Sequence, residues 1–247
     1  MSGDIIIRTD AVTRRFGGFT ALKNVSVEFE KGKLTSIIGP NGAGKSTFFN
    51  ILSGAFPPSE GRVIFDEADV TGTKPHLFPR IGISKSFQIT NIFPAFTVLE
   101  NVRIALQAHV SRFNFWSRRS SLGLEDKAHA LLQTVGLERQ SRSLARELAH
   151  GQQRALEIAV ALAGDPKLLL MDEPTAGMSP QETTAMMDLI VKLVAERTII
   201  LVEHKMKMVM GISDRLVVLH HGEFLAAGTP DDIRNNDEVK RVYLGQH

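Results

Sequence analysis

Short apolar runs alternate along this chain with segments of helical period. Residues 34–38, 63–65, 168–171, 198–202 and 216–219 are brief runs rich in Ile, Leu and Val. Several are apolar almost throughout, the pattern of strands buried on both faces. Helical spacing marks Ala128, Leu131, Leu132 and Val135, and again Ala155, Ile158, Ala159 and Leu162. Each set falls on i, i+3, i+4 and i+7. Strands alternating with helices predict an α/β fold, a largely parallel sheet covered by helices.

The middle of the chain reads differently. Residues 97–162 are mostly helical in pattern and lack a convincing strand. They predict a helical subdomain inserted into one α/β core built from residues 1–96 and 163–247. Its least regular tract, residues 110–123, combines Arg112, Arg118 and Arg119 with Phe113, Phe115 and Trp116. A loop with a few packed aromatics is the plainer reading; a membrane-surface or partner contact is the alternative.

Composition narrows the class. The 247 residues are 43% hydrophobic, enough for a substantial core. A formal charge of +2 gives no argument for a nucleic-acid partner. With no cysteine, disulfide frameworks and thiolate chemistry are excluded. No run reaches about 18 apolar residues, the least a membrane-spanning helix needs. Residues 1–10 lack a basic stretch followed by an apolar one, so a cytosolic chain without a signal peptide is expected. Any service to a membrane must then run through partner chains.

The clearest chemistry lies at Gly39, Pro40, Asn41, Gly42, Ala43, Gly44, Lys45, Ser46 and Thr47, which match G-x-x-x-x-G-K-[ST]. Glycines let the backbone approach an anion closely, with successive N–H groups turned inward. The helix expected from Lys45 aims its positive dipole end at the same place. Lys45 supplies a charge for the β- and γ-phosphates, and the Ser46 hydroxyl is a Mg²⁺ ligand. The strand before and the helix after, closed by Gly54, are the context this loop requires.

Residues 167–174 read as an apolar strand ending in Asp172 and Glu173. In an open parallel sheet, ligands bind at the carboxyl ends of strands. Asp172 is therefore expected to hold Mg²⁺, and Glu173 to act as general base on water. His204 follows another apolar strand and is placed to donate to the γ-phosphate. Spacing alone gives Gln88 no meaning.

Together these pieces resemble the ATP-binding-cassette (ABC) ATPases, a P-loop NTPase family, over nearly the whole chain. Residues Leu148, Ala149, His150, Gly151, Gln152 and Gln153 look like the family's signature loop. The resemblance places Gln88 at the family's Q-loop glutamine, which senses Mg²⁺ and γ-phosphate, and His204 at its switch histidine. It places Phe16, 29 residues before Lys45, at the aromatic that stacks on adenine. Two positions depart from the family pattern: Ala149 stands where serine is usual, and Ser179 where aspartate is usual. A hydroxyl donor is lost at Ala149, and the Gly151 N–H and the helix N-terminus are left to meet phosphate.

The run from Leu201 to Arg215, the segment 228–236 and the ending Val242, Tyr243, Leu244, Gly245 are similar to ATP-binding subunits of branched-chain amino-acid uptake systems. That resemblance implies ATP and Mg²⁺, two membrane permeases, a substrate-binding protein and a second cassette. The second cassette is expected to be a different chain, with a homodimer as the alternative. It also implies a peripheral position on the cytoplasmic face of the membrane. Transporters for urea, amides or lipid-like cargo are the nearest rivals, then an ABC ATPase outside transport. A GTPase would need an N-K-x-D element, which the chain lacks. A DNA-repair relative would need a long coiled coil between Lys45 and Asp172, and only 127 positions separate them.

Overall fold

A computed structural model describes residues 4–86, 92–109 and 118–244. Strands β1 (Ile5–Phe16) and β2 (Phe19–Glu30) form a hairpin turned by Gly17 and Gly18. With β4 (Glu60–Phe65) and β5 (Ala68–Asp69) they make a four-stranded antiparallel sheet, ordered β2-β1-β4-β5. The second sheet has six strands, ordered β10-β9-β3-β8-β7-β6. Its members are β3 (Leu34–Ile38), β6 (Ile83–Ser86), β7 (Leu168–Asp172), β8 (Thr198–Val202), β9 (Arg215–His220) and β10 (Glu223–Gly228). All its pairings are parallel except that of the edge strand β10.

Each of the five expected strands is present, and β3, β7 and β8 are buried at every position. Residues 63–65 belong to β4, in the antiparallel sheet, where they pair with β1.

The helices are α1 (Lys45–Leu52), α2 (Phe78–Ile81), α3 (Val98–His109), α4 (Arg118–Thr134), α5 (His150–Leu162), α6 (Pro180–Val194), α7 (Met206–Ile212), α8 (Pro230–Asn235) and α9 (Asp237–Leu244). Among the described residues of 97–162 lie α3, α4 and α5, and no strand of either sheet. No helix of the described residues is long and apolar enough to cross a membrane.

Strand periodicity decides which chemistry meets which helix. Successive side chains on a strand point to opposite faces. Leu168 and Leu170 of β7 join Ile200 and Val202 of β8 in a core with Phe48 and Phe49 of α1. Leu169 and Met171 join Ile199 and Leu201 in a separate core with Val102 of α3, Leu132 of α4 and Leu156 of α5. Two packed faces explain why these strands are apolar almost throughout. The same parity puts Asp172 on the face of Leu168 and Leu170, the side of α1.

Candidate functional site

Strand β3 delivers the chain to Gly39, and α1 begins at Lys45 behind Gly44 in a left-handed conformation, φ 91°. A Cβ on Gly44 would lie 2.7 Å from Leu22 Cδ2 and 2.8 Å from the Ala21 carbonyl, and one on Gly39 would lie 2.3 Å from the Leu219 carbonyl. Both glycines are thus demanded by close packing on β2 and β9. The buried Lys45 ammonium donates to the carbonyls of Gly39 at 2.8 Å and Pro40 at 2.9 Å, closing the loop on itself. Burial pulls its pKa down, while the nearby Glu173 carboxylate opposes that pull.

Asp172 ends β7, only 7% exposed, and no donor among the described residues hydrogen-bonds its carboxylate. Burial pushes its pKa up; Lys85 pulls it back, Glu173 adds to the rise and His204 opposes it. An anion held so, without donors, is a fitting ligand for a divalent cation. Lys85, on the neighbouring strand β6, donates to Asn50 Oδ1 at 2.8 Å and lies 4.9 Å from the Phe49 ring centre. Burial lowers its pKa, and Asp172 opposes this. Nothing in the local sequence marks Lys85; strand pairing brings it beside β7.

One consequence is testable without catalysis. Asp172→Asn keeps the shape but removes a buried charge. The nucleotide-free chain is expected to melt at the same temperature or higher, because the raised acid pKa marks a charge that folding disfavours. The extra stabilisation that MgATP gives the wild type over ATP with chelator should largely vanish in the variant. Thermal melts of both chains under the three conditions read this; an undiminished Mg²⁺ effect would remove Asp172 from the cation site.

Glu173 sits beyond the strand with φ at 46°, a left-handed backbone that costs a side-chain-bearing residue about 1–2 kcal/mol. Its N–H donates to Val202 O at 2.9 Å, which ties the turn to the end of β8. Its Oε1 lies 2.6 Å from His204 Nε2. Sequence reading places His204 toward a γ-phosphate; in this chain the ring meets the candidate base.

A buried knot holds that pair. The Thr175 hydroxyl donates to Glu203 Oε1. Glu203 Oε2 accepts the backbone N–H groups of His204 at 2.8 Å and Lys205 at 3.3 Å. Lys205 Nζ returns to the Thr175 carbonyl at 3.2 Å. The loops after β7 and β8 are thereby locked together. Glu203 and Thr175 escaped sequence reading because they lie 28 positions apart.

The signature-like residues form a second cluster. Helix α5 starts at His150 with Ala149 as its N-cap. Gln152 Oε1 accepts the Ala149 N–H at 3.1 Å, so this glutamine caps its own helix. The Gly151 N–H is taken: it donates to Glu182 Oε1 at 3.1 Å. Glu182 Oε2 accepts the Ser179 N–H at 3.0 Å and hydroxyl at 2.8 Å, closing the capping box of α6. Those bonds from Ser179, then the one from Gly151, hold the Glu182 carboxyl below its ordinary range. Gly151 of α5 and Ser179, the N-cap of α6, thus bind the two oxygens of one carboxylate, while Ala149 bonds to Gln152 of its own helix. Among the described residues no hydrogen bond joins this cluster to the phosphate loop.

Phe16 ends β1 with 44% of its surface exposed, edge-on to Phe56. Gln88 lies outside the described residues, as do residues 110–117 of the basic and aromatic tract.

Comparison with known proteins agrees with this geometry. The family described as ABC transporter matches residues 22–176, and the family described as branched-chain amino acid ATP-binding cassette transporter matches residues 225–247. The chain is 39% identical over 250 residues to the high-affinity branched-chain amino acid transport ATP-binding protein LivG of Salmonella typhimurium, covering 98% of each chain. It is 39% identical over 251 residues to the corresponding protein BraF of Pseudomonas aeruginosa, again covering 98% of each. A solved ATP-binding cassette of an ABC transporter in its ADP conformation superimposes with a TM-score of 0.85 at 32% identity, over 98% of this chain and 99% of that one. A dimeric cassette in a post-hydrolysis state with ADP and Pi gives 0.76 at 30% identity, over 91% of this chain and 99% of that one.

Proposed function

Because this chain belongs to the ABC transporter family of ATP-binding cassettes, we propose that it powers the uptake of branched-chain amino acids by binding and hydrolysing ATP. One observation carries the chemical half of this reading. Lys45, Asp172, Glu173 and His204 converge at the carboxyl ends of β3, β7 and β8.

The triphosphate fits the loop from Gly39 to Thr47, where its oxygens displace the Gly39 and Pro40 carbonyls from Lys45. Phe16 offers its ring to the base. Asp172, Ser46 and Gln88 are the residues that would hold Mg²⁺, whose charge would offset that of the β- and γ-phosphate oxygens. Glu173 accepts a proton from the water that attacks the γ-phosphorus. His204 orients that carboxylate through the 2.6 Å contact, and the Thr175–Glu203–Lys205 knot fixes the histidine's loop. The Gly151 end of α5 is read as the part that meets the ATP of a second cassette, most simply a different chain.

We assign this chain to the cytoplasmic face of the membrane, against two permeases served by a substrate-binding protein. The exposed rings of Phe93 and Phe96, 5.5 Å apart, support residues 89–98 as part of the permease contact. Beside them in sequence, Lys85 borders a cleft of about 340 Å³ shared with Phe78, His109 and Glu157. Gln88, which in sequence follows β6 and precedes Phe93 and Phe96, would couple that surface to the phosphate site, as the family resemblance implies, and residues 97–162 are read as the helical part that moves.

Reconstitution decides the cargo. Vesicles holding this chain, its two permeases, the binding protein and the second cassette should accumulate leucine, isoleucine or valine with ATP inside. Uptake of urea or an amide instead, with none of the three amino acids, would reassign the transporter.

A further inference from the structure

Arg14 and Phe16 stand two residues apart near the end of β1, on either side of a register shift between Arg14 and Arg15 in its pairing with β2. The Arg14 guanidinium lies 4.7 Å from the centre of the Phe16 ring and 4.7 Å from that of Phe56. The two rings meet edge to face, 5.6 Å apart and at 85°. Arg14 thus occupies the corner between them, a cation over two aromatic faces at once. Its NH1 donates to a carbonyl, that of Pro57, at 2.9 Å, while its Nε is buried without a partner. The adjacent Arg15 behaves as an ordinary surface arginine and pairs with Glu60. A guanidinium set against two rings and pinned at one end is a holding device rather than a charge partner.

What it holds follows from position. Phe56 and Pro57 lie just past α1, the helix that opens with Lys45 of the phosphate loop. Phe16 lies at the tip of a different sheet, beside the two-glycine turn. Without Arg14, an exposed ring at the end of a hairpin would be free to turn. With it, one face of Phe16 is covered and the ring is held at 85° to that of Phe56, so the opposite face is presented in one orientation.

We propose that Arg14 is a positioning residue for nucleotide binding: it locks the Phe16 ring for the base and ties that ring to the chain leaving the phosphate-loop helix. The inference rests on the reading of Phe16 as the base contact. A ring already ordered spares the nucleotide the cost of ordering it on binding, which corresponds to about threefold to tenfold in affinity.

Two probes separate base from phosphate. ATP carries both, whereas inorganic tripolyphosphate carries only the chain of phosphates. Dissociation constants of each, with Mg²⁺, are measured by calorimetry on the intact chain for wild type, Arg14→Met, Arg14→Lys and Phe16→Ala. Arg14→Met, which keeps an apolar stem, should weaken ATP about threefold to tenfold and leave tripolyphosphate within about twofold. Arg14→Lys restores a cation without the planar face and should recover part of the loss. Equal weakening of both probes would show that Arg14 merely supports the loop at residues 56–57, and would overturn the proposal. Unchanged ATP affinity in Arg14→Met, with ATP-selective weakening in Phe16→Ala, would overturn it while leaving the base contact intact. No ATP-selective effect in Phe16→Ala would remove the base contact and the proposal with it.

Discussion

Glu173→Gln should cut ATP turnover at least about a hundredfold while MgATP binding stays within a few-fold of wild type. The amide keeps the size of the side chain and its contact with His204, but it no longer takes the proton of the attacking water. The left-handed backbone at this residue, φ 46°, adds a control that activity alone would not provide. Glutamine keeps the backbone penalty, whereas glycine removes it. Glu173→Gly should therefore be as inactive as Glu173→Gln yet more stable without nucleotide, by about 1 kcal/mol. For a chain of this length that is a rise in melting temperature of roughly 2–4 °C. Single-turnover hydrolysis and thermal melts of the three chains check both halves. Near-normal turnover in Glu173→Gln would end the assignment of the base. A lower melting temperature in Glu173→Gly would mean that the carboxylate, through His204, contributes more to the fold than the strained backbone takes from it.

The parts of this site that were legible in the sequence are those that the chain writes locally. The phosphate loop needs its glycines, lysine and serine within nine consecutive positions, and Asp172 and Glu173 end one apolar run. Strands buried on both faces announce themselves as short runs rich in Ile, Leu and Val, which is why β7 and β8, and β3 despite its buried Thr35 and Ser36, are legible. Strands β1 and β2 are not, although each spans 12 residues. Their pairing slips register between Thr9 and Val12, and Ala11 has φ at 51°, so the polar–apolar alternation that marks a half-buried strand is broken there. The contacts that orient the chemistry join distant positions: Lys85 beside Asp172, Thr175 on Glu203, Glu182 on Gly151. No spacing rule in one sequence reveals them. The parity of β7 could have placed Asp172 on the side of α1 once the neighbouring strands were known, but strand order itself is a product of the fold. The same holds for Gly151, whose N–H the sequence leaves to meet phosphate: in this chain it donates to Glu182, 31 positions away on another helix, and no local spacing announces that partner.

That carboxylate shapes what Gly151→Asp should do. In the assembled transporter the variant is expected to lose ATP hydrolysis at least about a hundredfold, because a negative side chain would face the γ-phosphate of the second cassette. In the isolated chain it should bind MgATP normally, since no hydrogen bond links Gly151 to the phosphate loop among the described residues. It will not be silent there, however. A Cβ at position 151 would already lie 2.9 Å from Glu182 Oε1, and an aspartate sets a second carboxylate against the first. Like charges so close repel, and the Glu182 bonds to Gly151 and Ser179 must loosen. The junction of α5 and α6 should weaken, with a melting temperature several degrees lower, about 2–4 °C for each kcal/mol lost. Adding Glu182→Gln separates the two effects. The double variant removes the repulsion and keeps an oxygen to accept from Ser179, so stability should largely return. Hydrolysis in the assembled transporter should not return, because the charge facing the partner's phosphate remains. If activity recovers along with the melting temperature, Gly151 acts only through the packing of its own chain, and the shared nucleotide site must be drawn from other residues.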